Sequence, residues 1–161
     1  MKTICVTGAM SGVGKTALAE KLLSCLDNWA ACKVTACIGG RRHRCPRGKD
    51  KTCGVCSSLK KNYEIEEERS KAGRKDTQRL LRAGAKRVLW VKSKPAFLKK
   101  SIGIVLRKLK GCNGVVLEGN HTLAVLKPDS FHKSHHGDIR LDITSVRDLA
   151  PSGRAETLRI I

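Results

Sequence analysis

Apolar residues recur along this chain with two spacings, and the switches between them predict strands alternating with helices. Thr3-Ile4-Cys5-Val6 is a short β-prone run, and Ala17 to Leu23 repeats apolar residues at helical spacing before fading near Asp27-Asn28. Ala31 to Ile38 reads as a second strand, ended by Gly39-Gly40. A helix is predicted from Asp76, as its cap, through Gln78, Leu80 and Leu81 toward Ala83, with Gly84 ending it. Arg87 to Val91 is a third strand. Pro95, followed by Leu98, Ser101, Ile102, Val105, Leu106 and Leu109 on one face, marks an amphipathic helix over 95–110. Gly114 to Asn120 reads as a buried strand, and the chain runs on through Leu123 to Leu126 and Pro128.

Between these elements the pattern changes. From Arg41 to about Lys61 the chain is basic, cysteine-containing and poor in aliphatics, which predicts an inserted loop or mini-module spanning about 39–61. The acidic run Glu64 to Glu68 and the basic run through Lys75 read together as a solvated segment. Beyond Pro128, Phe131 to Gly137 is polar and His-rich. Asp138 to Thr144 alternates, as a half-exposed edge strand would, and the tail from Asp148 to Ile161 offers a short helix.

The junction of the first strand and first helix carries the clearest chemistry. From Ala9 the spelling is [A/G]xxxxGK[S/T], ending Gly14-Lys15-Thr16, with Gly8 just before it. Successive backbone N–H groups and the positive end of a helix dipole suit a triphosphate, and Gly12 and Gly14 permit the necessary backbone angles. Ser11, Gly12, Val13, Gly14, Lys15, Thr16 and Ala17 therefore form the expected nucleotide-contacting set. Lys15 reaches the β/γ-phosphates, and the Thr16 hydroxyl completes a Mg²⁺ shell. Glu118 arrives at the C-terminal end of its strand, the edge at which open α/β sheets bind ligands, and is the expected carboxylate for the Mg²⁺ water shell or for a water opposite the γ-phosphate. The competing reading of Glu118 is a strand-terminal carboxylate facing solvent.

Composition narrows the class. The chain has 161 residues, enough for one domain with a real core, and with only 3% aromatics that core must be aliphatic. No stretch approaches the roughly 20 consecutive apolar residues of a membrane span. Lacking a signal-peptide pattern at its start, the chain is expected to be cytoplasmic. Lys plus Arg total 33 against 14 Asp plus Glu, a formal charge of +19, and such a field attracts polyanions. Nucleic acid is a candidate but not the favoured one, because no recognisable nucleic-acid module is present and few aromatics are available for stacking.

There are eight cysteines. In an intracellular nucleotide-binding domain, clustered cysteines point to metal or redox chemistry rather than a disulfide framework. Cys5, Cys25, Cys32, Cys37 and Cys112 lie in or beside apolar runs and read as small core residues. Cys45, Cys53 and Cys56 share the polar loop, and Cys53-x-x-Cys56 places two thiolates within reach of one ion. With His43 or Cys37 as fourth ligand, the set predicts a Zn²⁺ site, or an iron–sulfur cluster with an outside ligand. The alternative is a redox-active thiol pair in a surface loop.

The order of landmarks resembles the MobB family of molybdopterin-guanine dinucleotide biosynthesis proteins, small P-loop GTP-binding proteins. The matching residues are the loop ending Gly14-Lys15-Thr16, Lys75-Asp76-Thr77 followed by Ala83-Gly84-Ala85, and Val116-Leu117-Glu118-Gly119, spread over roughly 1–128. The resemblance implies a parallel sheet with nucleotide at its C-terminal edge, Asp76 and Glu118 near Mg²⁺ and phosphates, a homodimer, and an accessory role beside a partner enzyme of molybdenum-cofactor assembly. GTP rather than ATP rests on the resemblance alone, since no Asn-Lys-x-Asp sequence is present. The cysteine insertion and the His-rich C-terminal region depart from the family pattern.

Together these readings predict a single three-layer α/β P-loop NTPase domain over 1–161, with a mostly parallel sheet and a Cys-rich insertion. Lys15, Glu118 and Asp76 are the expected catalytic residues, and Thr16, Asp76 and Glu118 the Mg²⁺ set. The other classes are a small-molecule kinase or ATP-dependent ligase, for which Asn120, His121 and the basic loop do not identify an acceptor pocket, and a metal-dependent nucleic-acid-binding module.

Overall fold

The computed structural model describes residues 1–8, 12–37, 55 and 58–126. Among these, five strands form one sheet in the order β1-β5-β2-β4-β3: β1 is Lys2–Val6, β2 Trp29–Ala36, β3 Tyr63–Glu68, β4 Val88–Ser93 and β5 Gly114–Glu118. The β1·β5, β5·β2 and β2·β4 pairings are parallel, and β3 closes one edge antiparallel to β4. The helices are α1 (Lys15–Leu23), α2 (Asp76–Arg82) and α3 (Leu98–Lys108), the last entered through a 3₁₀ turn at Pro95–Phe97. A second 3₁₀ turn, Thr122–Ala124, follows β5.

Side chains alternate across a pleated sheet, so each strand feeds two cores. On one face Ile4, Val6, Trp29, Ala31, Val88 and Val116 pack against Leu18, Ala19 and Leu23 of α1 and Leu80 and Leu81 of α2. On the other, Ala30, Cys32, Val34, Leu89, Val91, Val115 and Leu117 meet Leu98, Ile102 and Val105 of α3 and Leu109 just after it. The result is the expected three-layer α/β arrangement with a mostly parallel sheet. Burial of strands on both faces explains their near-continuous apolar runs.

Four expectations are corrected. The acidic run is not a solvated segment but the edge strand β3. Its glutamates face basic residues of β4 and its flank: Lys92 Nζ donates to Glu66 Oε1 at 2.5 Å, and Arg87 Nε to Glu67 Oε1 at 2.7 Å, while Ile65 packs on the α3-side core. Cross-strand charge pairs and one apolar contact outweigh the low β-propensity of glutamate. Asp76 is the first helical residue of α2 rather than its cap. Lys75 holds the cap position, with its N–H donating to Gln78 Oε1 at 3.1 Å. The first helix stops at Leu23 instead of fading near Asp27-Asn28, and Asn28, with φ 58°, makes a left-handed turn into β2, which begins two residues earlier than expected. Cys25 is exposed and is no core residue, whereas Cys32 and Cys37 are buried and Cys5 and Cys112 half-buried.

Candidate functional site

The strands that run parallel bring their C-terminal ends to one edge, and there two of the expected site residues, Asp76 and Glu118, come together around Lys33. In the β1·β5 register Val6 stands beside Glu118, and in the β5·β2 register Lys33 stands on its other side. Parallel partners share a face, so Glu118 and Lys33 emerge on the side covered by α1 and α2. Glu118 is only 4% exposed.

Among the described residues between Val6 and α1, Gly12 and Gly14 enter the left-handed region, with φ 86° and 94°, where side chains are strained. Gly14 caps α1 in that conformation, without a side-chain cap and with no acidic residue in the first turn. The positive end of the helix dipole thus lies beside two buried polar residues, Lys15 and Thr16. A Cβ on Gly8 would lie 2.8 Å from Val13 Cγ2, so the approach of the chain also requires glycine. Gly12, Val13, Gly14, Lys15, Thr16 and Ala17 all lie in this turn and helix start. Ala9, Met10 and Ser11 lie outside the described residues.

Glu118 is followed by a constrained turn. Gly119 N–H donates to Val6 carbonyl oxygen at 3.1 Å, and a Cβ on Gly119 would stand 2.5 Å from the Val34 carbonyl oxygen. Only glycine lets the chain leave β5 this close to β2. Thr122 then folds back, its hydroxyl donating to the Gly119 carbonyl at 2.9 Å.

The residue that sequence reasoning missed is Lys33. It sits in β2 between Cys32 and Val34, is 6% exposed, and its Nζ donates to Asp76 Oδ2 and lies 3.4 Å from Glu118 Oε2 and 3.5 Å from Oε1. A buried ammonium is costly unless paired and hydrogen-bonded. The one available signal was a lysine in the middle of an otherwise apolar strand. Asp76 also lies 4.0 Å from Arg79 Nη1, and Arg79 in turn holds Glu20 of α1, which raises the guanidinium pKa further. Charges of alternating sign therefore run from Glu20 through Arg79, Asp76 and Lys33 to Glu118.

The same sheet face continues with a second ionic group. Trp90 is in register with Lys33, and Thr35 with Lys92. Trp90 Nε1 donates to Thr35 Oγ1 at 3.1 Å, and the Lys92 ammonium lies 4.3 Å from the Trp90 ring centre.

The residues present fit a magnesium nucleotide: the glycine turn suits an anion, Lys15 and Thr16 open the helix, and the carboxylates of Asp76 and Glu118 are the hard oxygen donors that would hold such an ion or its water. The second predicted metal site is only touched. Cys37, the residue after β2, is a buried thiol whose Sγ reaches the Val55 carbonyl oxygen at 4.0 Å, whereas His43, Cys45, Cys53 and Cys56 lie outside the described residues. So do the His-rich stretch, the alternating segment at 138–144 and the tail. Among the described residues no group of three or more His, Cys, Asp or Glu is placed to hold a metal ion, and no helix is long and apolar enough to cross a membrane. Comparisons with protein-family models, with curated proteins and with solved structures give no match.

Proposed function

We propose that this chain is a Mg²⁺-dependent P-loop nucleoside triphosphatase, a MobB-like accessory factor serving molybdenum-cofactor or metal-centre assembly. One observation carries the enzymatic part: Glu118 lies in register with Val6, the last strand residue before the glycine turn that opens α1 at Lys15-Thr16. A carboxylate one strand away from a phosphate-suited helix start is the arrangement that metal-assisted phosphoryl transfer to water requires.

In this reading the Lys15 ammonium meets the β/γ-phosphates, and the Thr16 hydroxyl and the Asp76 and Glu118 carboxylates face the magnesium side. Bound Mg²⁺ neutralises charge on the phosphate oxygens. Glu118, buried and fixed between β1 and β2, orients the attacking water. The accessory role, GTP as the base of choice, a homodimer and a partner enzyme rest on the MobB resemblance. Zn²⁺ or an iron–sulfur cluster at Cys45, Cys53, Cys56 and His43 or Cys37 rests on cysteine spacing.

Calorimetry tests the core of the reading. Lys15→Ala removes the cation aimed at the phosphates and is expected to weaken Mg·GTP or Mg·ATP binding by about ten- to a hundredfold, the scale of a charge-assisted hydrogen bond, while the protein stays folded. Equal affinity in wild type and variant would reject the phosphate-loop assignment. The same titrations with both nucleotides decide between GTP and ATP.

A further inference from the structure

The two carboxylates assigned to the magnesium side already hold a cation of the chain itself. Lys33 Nζ bridges Asp76 of α2 and Glu118 of β5, three residues on three different elements. Lys33 and Glu118 side chains are 7% and 5% exposed, so water screens little of their interaction, while Asp76 at 37% leaves one side of the group open. We propose that Lys33 is a positioning residue whose ammonium holds Asp76 and Glu118 as a resident counter-cation, and that it hands them over only when a magnesium nucleotide arrives. The proposal rests on the reading of Asp76 and Glu118 given above.

Charge balance carries it. With Lys33 in place, two carboxylates and one ammonium leave a net charge of −1, too little to favour a divalent ion against the repulsion of an adjacent cation. Were Mg²⁺ to enter alone, the ammonium would be expelled from its partners while still buried, which is costly. A triphosphate removes that obstacle because it brings its own anionic oxygens, to which the displaced ammonium can pair. Lys33 thereby couples metal entry to nucleotide entry: the ion is admitted with its phosphates and poorly without them. The neighbouring positions are consistent with a fixed device rather than a surface lysine. Trp90, in register with Lys33, is held by Thr35, and Asp76 is flanked by Arg79, which is itself tied to Glu20.

The test reads metal binding without nucleotide, so it does not depend on turnover. Mn²⁺ replaces Mg²⁺ as probe and is followed by electron paramagnetic resonance. Wild type is expected to bind Mn²⁺ weakly in the absence of nucleotide. Lys33→Met, of similar length but uncharged, is expected to bind it at least tenfold more tightly, and Lys33→Arg to restore weak binding. Adding Asp76→Asn to Lys33→Met is expected to abolish the gain. A folded Lys33→Met protein with unchanged Mn²⁺ affinity overturns the proposal. Should Lys33→Met fail to fold, the wild-type protein decides. The Lys33 side-chain ammonium resonance, assigned by its loss in Lys33→Arg, is expected to shift when Mg·GTP or Mg·ATP saturates the site and not with Mg²⁺ alone. An unshifted resonance at saturation overturns it equally. Failure of the phosphate-loop reading appears elsewhere, as undiminished nucleotide binding by Lys15→Ala, and leaves the Mn²⁺ result interpretable.

Discussion

Arg79 on α2 grips Glu20 on α1 with two parallel hydrogen bonds, Nε to Oε1 at 2.9 Å and Nη2 to Oε2 at 2.6 Å. The pair joins the helix that opens at the glycine turn to the helix that carries Asp76, and both side chains are about one-third exposed. Bidentate geometry places it at the upper end of surface ion pairs. Arg79→Met is expected to lower stability by about 1 kcal/mol, and a double-mutant cycle with Glu20→Gln to recover most of that as coupling. Urea unfolding midpoints measure it. Additive single effects would assign the helix contact to apolar packing.

Glu118→Gln keeps the shape of a buried side chain and removes its charge. Nucleotide affinity is expected to change by less than about threefold while single-turnover hydrolysis slows by at least about tenfold, because the amide organises metal-bound water poorly. Rapid-quench measurement separates the two. Unchanged single-turnover hydrolysis would leave Glu118 a structural partner of Lys33.

Gly119→Ala places a Cβ against the Val34 carbonyl oxygen, a backbone atom that cannot swing aside. The expected cost is about 2 kcal/mol or more, since β5 and β2 must separate where Glu118 and Lys33 meet. Thermal unfolding reads the loss. Nucleotide binding should weaken with it, even though residue 119 lies outside the glycine turn.

Acid should loosen the junction of β3 and α2. Glu68 accepts from the Thr77 hydroxyl at 2.7 Å and from the backbone N–H groups of Ser70 and Arg69 at 3.0 and 3.2 Å, and these bonds hold its carboxyl below the usual range, Thr77 first. A carboxylate with a lowered folded pKa stabilises the protein fully above its unfolded pKa and loses that contribution as pH falls through the folded one. Glu68→Gln is therefore expected to cost about 1 kcal/mol at neutral pH, with the difference from wild type fading below about pH 4. Denaturant unfolding across that range checks it. A difference independent of pH would place the effect in packing instead.

The cysteine spacing makes a prediction of its own. Protein purified under reducing, anaerobic conditions is expected to carry about one zinc ion or one iron–sulfur cluster per chain, lost in Cys53→Ser/Cys56→Ser. Elemental analysis decides, and equal metal content in the double variant would reject the site.

The local pattern determined much of this molecule. Alternating and helical spacings located β1, β2, β4, β5 and the three helices to within a few residues, because each buries an apolar face that periodicity reports directly. The places of Lys15-Thr16 at a helix start and of Glu118 at a strand end were legible for the same reason, since each sits at the boundary of an element that periodicity located. Tertiary structure alone decided the rest. Glu64 to Glu68 form a strand where Lys92 and Arg87 pair with their carboxylates and Ile65 meets the core, and Asp76 accepts from Lys33 rather than capping its helix. Lys33 itself reaches Asp76 across 43 residues and Glu118 across 85. Within β2 it is one polar residue in an apolar run. A charge acquires its partner through strand order and register, which no window of neighbouring residues encodes.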